Sequence, residues 1–327
     1  MEVAAPDGRA ERSRRIRWAA ATLYFLAIAG YVVAQGVPTN RIVVILVILV
    51  GLGITRIGRG WRATAQILVD WVPFTAVLVA YDQTRGLADK LGIPLHESDI
   101  ARAEDWLFGG NNPTIWLQHH LHPSSAVHWY DALVSIVYVT HFVATPVLAA
   151  VLWLRNRQVW IQFISRVILL SVAGLITYIA FPEAPPWLAA QDGVIAPVQR
   201  LSAQGWIWLH AGNLDSLLSR AQNEGANPVA AMPSLHVAFA CLVAIFIARQ
   251  IRSPWGRLTY LYPLAMGFTL VYTGEHYVLD LVAGIAYVLA VHLGVSRWED
   301  RRARRRAVPV AETTALDPPA QEALETR

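Results

Sequence analysis

Ala231-Met232-Pro233-Ser234-Leu235-His236 stands where a long polar loop gives way to an apolar run ending near Arg249. The run predicts a membrane helix that begins at Pro233, because the missing N–H of a proline costs nothing at the first helical position. Ser234 and His236 then fall in the first turn. Free backbone N–H groups and the positive end of the helix dipole meet there, which suits a phosphate. A hydroxyl and an imidazole at a helix start on a membrane edge form the sharpest local signal in the chain.

Apolar runs recur on both sides of this stretch. The 327 residues are 55% hydrophobic and only 15% charged, with a mean hydropathy of +0.39. Soluble domains carry about 25% charged residues. Runs near the ~20 residues that cross a bilayer predict an all-α polytopic bundle. Eight spans are expected, over roughly 18–34, 42–54, 64–81, 129–154, 159–181, 233–249, 258–272 and 276–295. A basic segment over 1–17 precedes them. The first run can also be read as a signal peptide, but its length and the spans that follow favour an uncleaved helix. Residues 82–127 and 182–231 are long polar connections, the first expected to hold short interfacial helices. Residues 297–327 hold a basic run, then a Pro/Ala/Glu tail of disordered composition. The domain division is therefore 1–17, two N-terminal helices over 18–63, a membrane domain over 64–296 and the tail over 297–327.

Charge orients this map. With the N-terminus in the cytoplasm, 20 of the 27 basic residues fall on cytoplasmic segments, as the positive-inside rule requires. The outer segments hold Arg41, Arg85, Lys90, Arg102, Arg200 and Arg220, and Arg166 lies within the fifth span. Both termini are then cytoplasmic, and His236 faces outward. The basic residues sit at membrane edges, so no nucleic-acid partner is implied. A single lysine among them hints at a GC-rich bacterial genome, hence a plasma membrane. Cys241 lies inside a span, which excludes a disulfide framework and reads as a small buried hydrophobe. Trp18, Trp106, Trp116, Trp129 and Trp187 read as an interfacial aromatic belt.

The same map brings a second polar group to the outer face. Tyr272-Thr273-Gly274-Glu275-His276-Tyr277-Val278-Leu279-Asp280 opens the eighth span. His276 and Asp280 are four apart, so a helix puts them on one face. A carboxylate beside an imidazole fixes its tautomer and stabilises the imidazolium. Ionisable residues in a membrane helix are costly and point to function. Two histidines and an aspartate can move a phosphoryl group without a metal. One imidazole attacks phosphorus, the other protonates the leaving oxygen, and the carboxylate orients the nucleophile.

Pro233-Ser234-Leu235-His236 and Gly274–Asp280 resemble the second and third signature motifs of the type 2 phosphatidic acid phosphatase superfamily. The pairing is closest to the branch that contains inositol phosphorylceramide synthases, the inositol phosphotransferases. Phe181-Pro182-Glu183-Ala184-Pro185-Pro186-Trp187 resembles that branch's first motif. The resemblance spans roughly 64–296. It implies a six-helix core, His276 as nucleophile or as activator of the acceptor, Asp280 as its support, His236 as general acid and Ser234 as a phosphate contact. It implies no cofactor and no metal.

The lysine and arginines with which the superfamily's phosphatases clamp phosphate are absent. Phe181–Trp187 holds no basic residue, and Thr269 and Leu270 stand where Ser and Arg are found. This favours a transferase on a phospholipid or lipid phosphate, with an alcohol such as an inositol, another lipid or water as acceptor. A lipid phosphate or polyprenyl diphosphate hydrolase is the alternative. A transporter or scaffold keeping the fold is a third reading, but the polar cluster lies at the edge and not at the midplane. The outer arginines are candidates for the anion contact, Arg85 foremost; it also reads as a headgroup anchor. Lipid, acceptor and oligomeric state are left open. His119, His120, His122 and His128 lack metal-ligand spacing and read as a solvated loop. Asp70 and Arg166, at similar depth in neighbouring spans, are expected to form a buried ion pair.

Overall fold

The computed structural model describes residues 8–35, 41–84, 91–123, 126–209, 229–251 and 253–307. Among them are twelve α-helices and one 3-10 helix, with isolated bridges but no strand. The helices are α1 (Gly8–Gln35), α2 (Arg41–Arg56), α3 (Trp61–Thr84), α4 (Ser98–Leu107), α5 (Pro113–Leu121), α6 (Trp129–Arg155), α7 (Arg157–Ala180), α8 (Pro186–Gln191), α9 (Gly205–Trp208), α10 (Leu235–Gln250), α11 (Leu261–Tyr272) and α12 (Val278–Ala307). The 3-10 helix, Pro254–Tyr260, leads into α11. Each predicted span coincides with a helix: α1, α2, α3, α6, α7, α10, α11 and α12. Four of them, α1, α6, α7 and α12, are long and apolar enough to cross a bilayer; α2 and α10 are shorter apolar helices. The chain is an integral membrane protein with an all-α polytopic bundle.

The bundle is built around α10, which packs against α6, α7, α11 and α12. Its apolar surface is continuous, so it is enclosed rather than one-faced. Leu235, Ala238, Phe239, Leu242, Val243 and Phe246 enter the main core beside Trp71, Phe74, Trp160 and Phe163 of α3 and α7. On the outside, Leu23, Phe25, Leu68, Val72, Ile176, Leu264 and Val282 are exposed. Such residues would be anomalous in water but match lipid tails. Among the described residues the first helix packs mainly on α2.

Three expectations are corrected. The sixth span opens two residues later than Pro233 predicts: Ser234 is the N-cap and α10 begins at Leu235. Pro233 stays outside because its carbonyl is engaged by Tyr178, whose hydroxyl donates to it at 2.7 Å. The eighth span does not open at His276. Gly274, at φ +74°, turns the chain out of α11, His276 lies in that turn, and α12 starts at Val278. Asp70 and Arg166 do not pair. Asp70 accepts from Arg157 at 2.6 and 2.9 Å and from Trp153 at 2.8 Å. Arg166 donates to Glu299 at 2.8 and 3.1 Å and to Ser296 at 2.9 Å. Similar depth puts two residues on one level, but the helix face each occupies sends them to different neighbours.

The basic run continues α12 as helix to Ala307, and the arginine-rich segment from Arg9 to Arg17 lies in α1. The Pro/Ala/Glu tail lies outside the described residues. Short helices α4 and α5 occupy the first polar connection, as expected.

Candidate active site

The site forms where α10, α12 and the turn between α11 and α12 meet. Backbone contacts dock these elements. Ser234 N–H donates to the Asp280 carbonyl at 3.0 Å. Gly284 lies one turn along α12, and a Cβ there would meet the Ser234 carbonyl oxygen at 2.3 Å. Only glycine lets α12 cross so close to the start of α10. The turn itself is held from three sides. Gln118 donates to the Tyr272 carbonyl at 2.9 Å, Leu201 N–H to Thr273 at 3.1 Å, and Trp187 N–H to Gly274 at 3.0 Å.

This docking brings the two sequence motifs together. His276 Nδ1 is 3.2 Å from Asp280 Oδ2, and His276 Nε2 is 3.3 Å from His236 Nδ1. The Asp280 carboxylate oxygen also accepts the Tyr277 N–H at 2.9 Å. A carboxylate only accepts, so Nδ1 of His276 carries the proton and Nε2 presents a lone pair toward His236. The expected i, i+4 contact is therefore made, although His276 precedes the helix. Ser234 is buried, and its hydroxyl meets no protein donor or acceptor. Tyr138 stacks on His236 with centroids 5.5 Å apart, and His141 lies 4.0 Å from it.

Two buried acids surround this group, and neither was singled out from the sequence. Glu104 of α4 accepts the Val278 and Leu279 N–H groups at 3.0 and 3.1 Å, capping α12. Burial pushes its carboxyl up to about 7, against the pull of those two N–H groups. Glu183, in the Phe181–Trp187 motif, is fully buried. Its backbone is fixed between His96 and Ala230 by short bridges. Burial, then the nearby charge of Asp280, pushes the Glu183 carboxyl far above the carboxylate range. Neither Glu183 oxygen nor Asp280 Oδ1 meets a donor when both acids are ionised. A proton on Glu183 supplies that donor, and the two carboxyls share it. The signal available in the sequence was a lone acid within an otherwise apolar, proline-rich motif.

The cation of the site is Arg200. It donates to Glu275 at 2.9 and 3.1 Å and lies over the Trp187 ring at 4.6 Å. Burial works against its charge, and the Glu275 carboxylate beside it more than offsets this, holding the guanidinium above its ordinary pKa. Ser202 donates to the same carboxylate. Arg200 thus stands next to His276 along the chain of contacts, fixed but 20% exposed. Arg85 lies outside the described residues.

An apolar cavity opens beside the histidines. It is small, about 50 Å³, between α2, α3, α6, α7 and α10, room for a few water-sized groups. Val44, Phe74, Phe142, Val167 and Phe239 line it, and His141 connects it to His236.

An imidazole pair with a buried carboxylate, at the edge of a membrane bundle, defines a class: integral membrane enzymes that are lipid phosphatases or phosphotransferases. The pattern of the PAP2 superfamily matches residues 98–294, and the chain belongs to that superfamily. It is similar to a phosphoinositol dihydroceramide synthase of Bacteroides thetaiotaomicron, with 25% identity over 237 residues. The match covers 69% of this chain and 75% of that protein. No solved structure matches.

Proposed function

We propose that the protein is a phosphotransferase that moves a phospho-headgroup from a phospholipid to an alcohol at the extracytoplasmic face. The observation that carries this reading is the continuous contact from Asp280 through His276 to His236. The similarity to a synthase named for a phosphoinositol lipid supports transfer over hydrolysis, as does the absence of the superfamily's basic clamp from Phe181–Trp187.

His276 Nε2 attacks phosphorus and forms an N–P bond. The bond from phosphorus to the lipid alcohol breaks, and protonated His236 gives its proton to the departing oxygen. His236 then takes a proton from the acceptor hydroxyl, whose oxygen attacks phosphorus, and the N–P bond breaks. His276 is restored. Asp280 holds Nδ1–H and stabilises the positive charge on the ring while the bond exists. The shared proton between Glu183 and Asp280 leaves one negative charge under the ring, not two. Ser234 and Arg200 contact the phosphoryl oxygens. The two rings are 3.3 Å apart at their nearest nitrogens, so they part by about 3 Å to admit a phosphoryl group. Residues 64–296 form the catalytic membrane domain, with both termini on the cytoplasmic side.

The test is turnover of a phospholipid labelled in its headgroup phosphate by the purified protein, with and without inositol. A new labelled phosphodiester is expected when the alcohol is present. A labelled water-soluble headgroup phosphomonoester as the only product overturns transfer in favour of hydrolysis.

A further inference from the structure

A second histidine cluster lies where α5 ends and α6 begins. His122 caps the C-terminus of α5, and His128 and Asp131 belong to the first turn of α6. His119 and His120 are solvated as expected, although on the last turn of α5 rather than in a loop. The expectation fails for His122, whose side chain is only 2% exposed. Neither ring nitrogen of His122, nor Nδ1 of His128, has a hydrogen-bond partner, though all three are buried. An orphaned buried imidazole nitrogen is uncommon and asks for a ligand.

The surrounding geometry supplies the rest of a coordination set. His122 Nδ1 and His128 Nδ1 each lie 3.8 Å from Asp131 Oδ2, too far for hydrogen bonds. One ligand atom from each of the three residues lies within 4.8 Å of the others. A tetrahedral zinc ion with bonds of about 2.0–2.2 Å separates its ligands by roughly 3.3 Å. Shifts of up to about 0.8 Å per ligand atom therefore close the set around an ion. Asp131 is already oriented as a metal-binding carboxylate is: Tyr272 donates to Oδ1 at 2.6 Å and the His128 N–H to Oδ2 at 2.7 Å. Oδ2 keeps a lone pair for a metal. His128 is fixed by stacking on Tyr130, with centroids 5.0 Å apart and planes 5° apart.

We propose that His122, His128 and Asp131 bind one zinc ion, with water in the fourth position. Two imidazoles and a carboxylate suit zinc, and the one open position suits water. Through Asp131 and Tyr272 the ion braces α5 and α6 against the end of α11, just before the catalytic turn. It lies outside the proposed reaction and does not rest on the phosphotransferase reading.

The experiment is zinc binding by the purified full chain in detergent. The protein is stripped with a chelator, titrated with zinc, and its bound metal counted by elemental mass spectrometry. One zinc per chain is expected, with a higher unfolding temperature after loading. His122→Gln and His128→Ala should each weaken binding by at least about tenfold and remove that gain. His119→Ala and His120→Ala should change neither. His128 is partly exposed, so its variant keeps the test open if His122→Gln misfolds; elution as a single folded species is checked for each. Failure to bind stoichiometric zinc at micromolar free metal, or unchanged binding in the His128 variant, overturns the proposal.

Discussion

The two ends of the bundle treat buried charge in opposite ways. At one end Arg166, almost fully buried, is answered by Glu299, and Asp70 by Arg157 and Trp153. Each of these charges has an opposite charge beside it, although Arg166 Nε meets no acceptor among the described residues. At the other end Asp280, Glu183 and Glu104 are all fully buried. Among the described residues none of the three is paired with an arginine or lysine. Their partners are backbone N–H groups, an imidazole and each other's protons. The Arg166–Glu299 and Asp70–Arg157 pairs tie helices together, whereas Arg200, paired with Glu275, stays 20% exposed. An acid cluster that relies on a histidine and on protonation carries an unspent capacity for proton and phosphoryl transfer. The contrast separates architecture from chemistry within one fold.

The sharpest way to break that contrast is to remove one group from each end. His276→Ala and His236→Ala should each lower turnover by about 10³-fold or more while the bundle still unfolds at the wild-type temperature. Normal turnover in either variant would remove the proposed roles. Glu299→Ala should do the reverse. It leaves the Arg166 charge buried without a carboxylate, at a cost of about 3–5 kcal/mol, which a fall in unfolding temperature in detergent detects. Turnover of the molecules that stay folded should not change. A Glu299 variant as stable as wild type would show that the pair is not structural.

A third comparison lies within the active site. Arg200→Ala removes the cation beside His276 and should lower turnover by about 10²-fold, as when one donor to a developing oxyanion is lost. Arg200→Lys keeps the charge but not the paired geometry, and should recover only part. An Arg200→Ala enzyme with wild-type rate would return the anion contact to another residue.

The smallest effect is on pH dependence. Glu104 has its carboxyl raised from 4.5 to about 7 by burial. Between those values the unfolded chain has released this proton and the folded chain keeps it. Stability from this group is therefore full below pH 4.5 and lost as pH rises through 7, by about 3 kcal/mol at most. The unfolding temperature of the wild type should fall over that range by more than that of Glu104→Gln. Identical slopes would mean that Glu104 is ionised throughout.

Much of this arrangement was legible in the sequence, because a membrane imposes simple rules. Apolar length marked eight helices, and the arginine distribution sorted their ends. The pairing of His236 with His276 and Asp280 followed from that sorting and from motif resemblance. What escaped has a common cause: linear spacing reports depth along a helix, not direction around it. Asp70 and Arg166 share a level, yet α3 aims one at α6 and α7 while α7 aims the other at α12. Glu183 sits in a loop and Glu104 on a short helix of ten residues, too brief for its period to mark burial. The sequence favoured Arg85 over Arg200 as the anion contact; only the folded loop shows Arg200 beside Glu275. His276 was placed on a helix because Asp280 is four residues on, whereas Gly274 puts it in a turn that reaches the same partner.

The central claim is that His276 attacks phosphorus. The direct measurement uses the purified protein and a phospholipid labelled in its headgroup phosphate, without alcohol acceptor. The reaction is quenched in alkali and the label mapped to a residue by mass spectrometry. The account predicts label on His276. Labelled product released with no label on His276, or label carried by Ser234 or His236 instead, would contradict it.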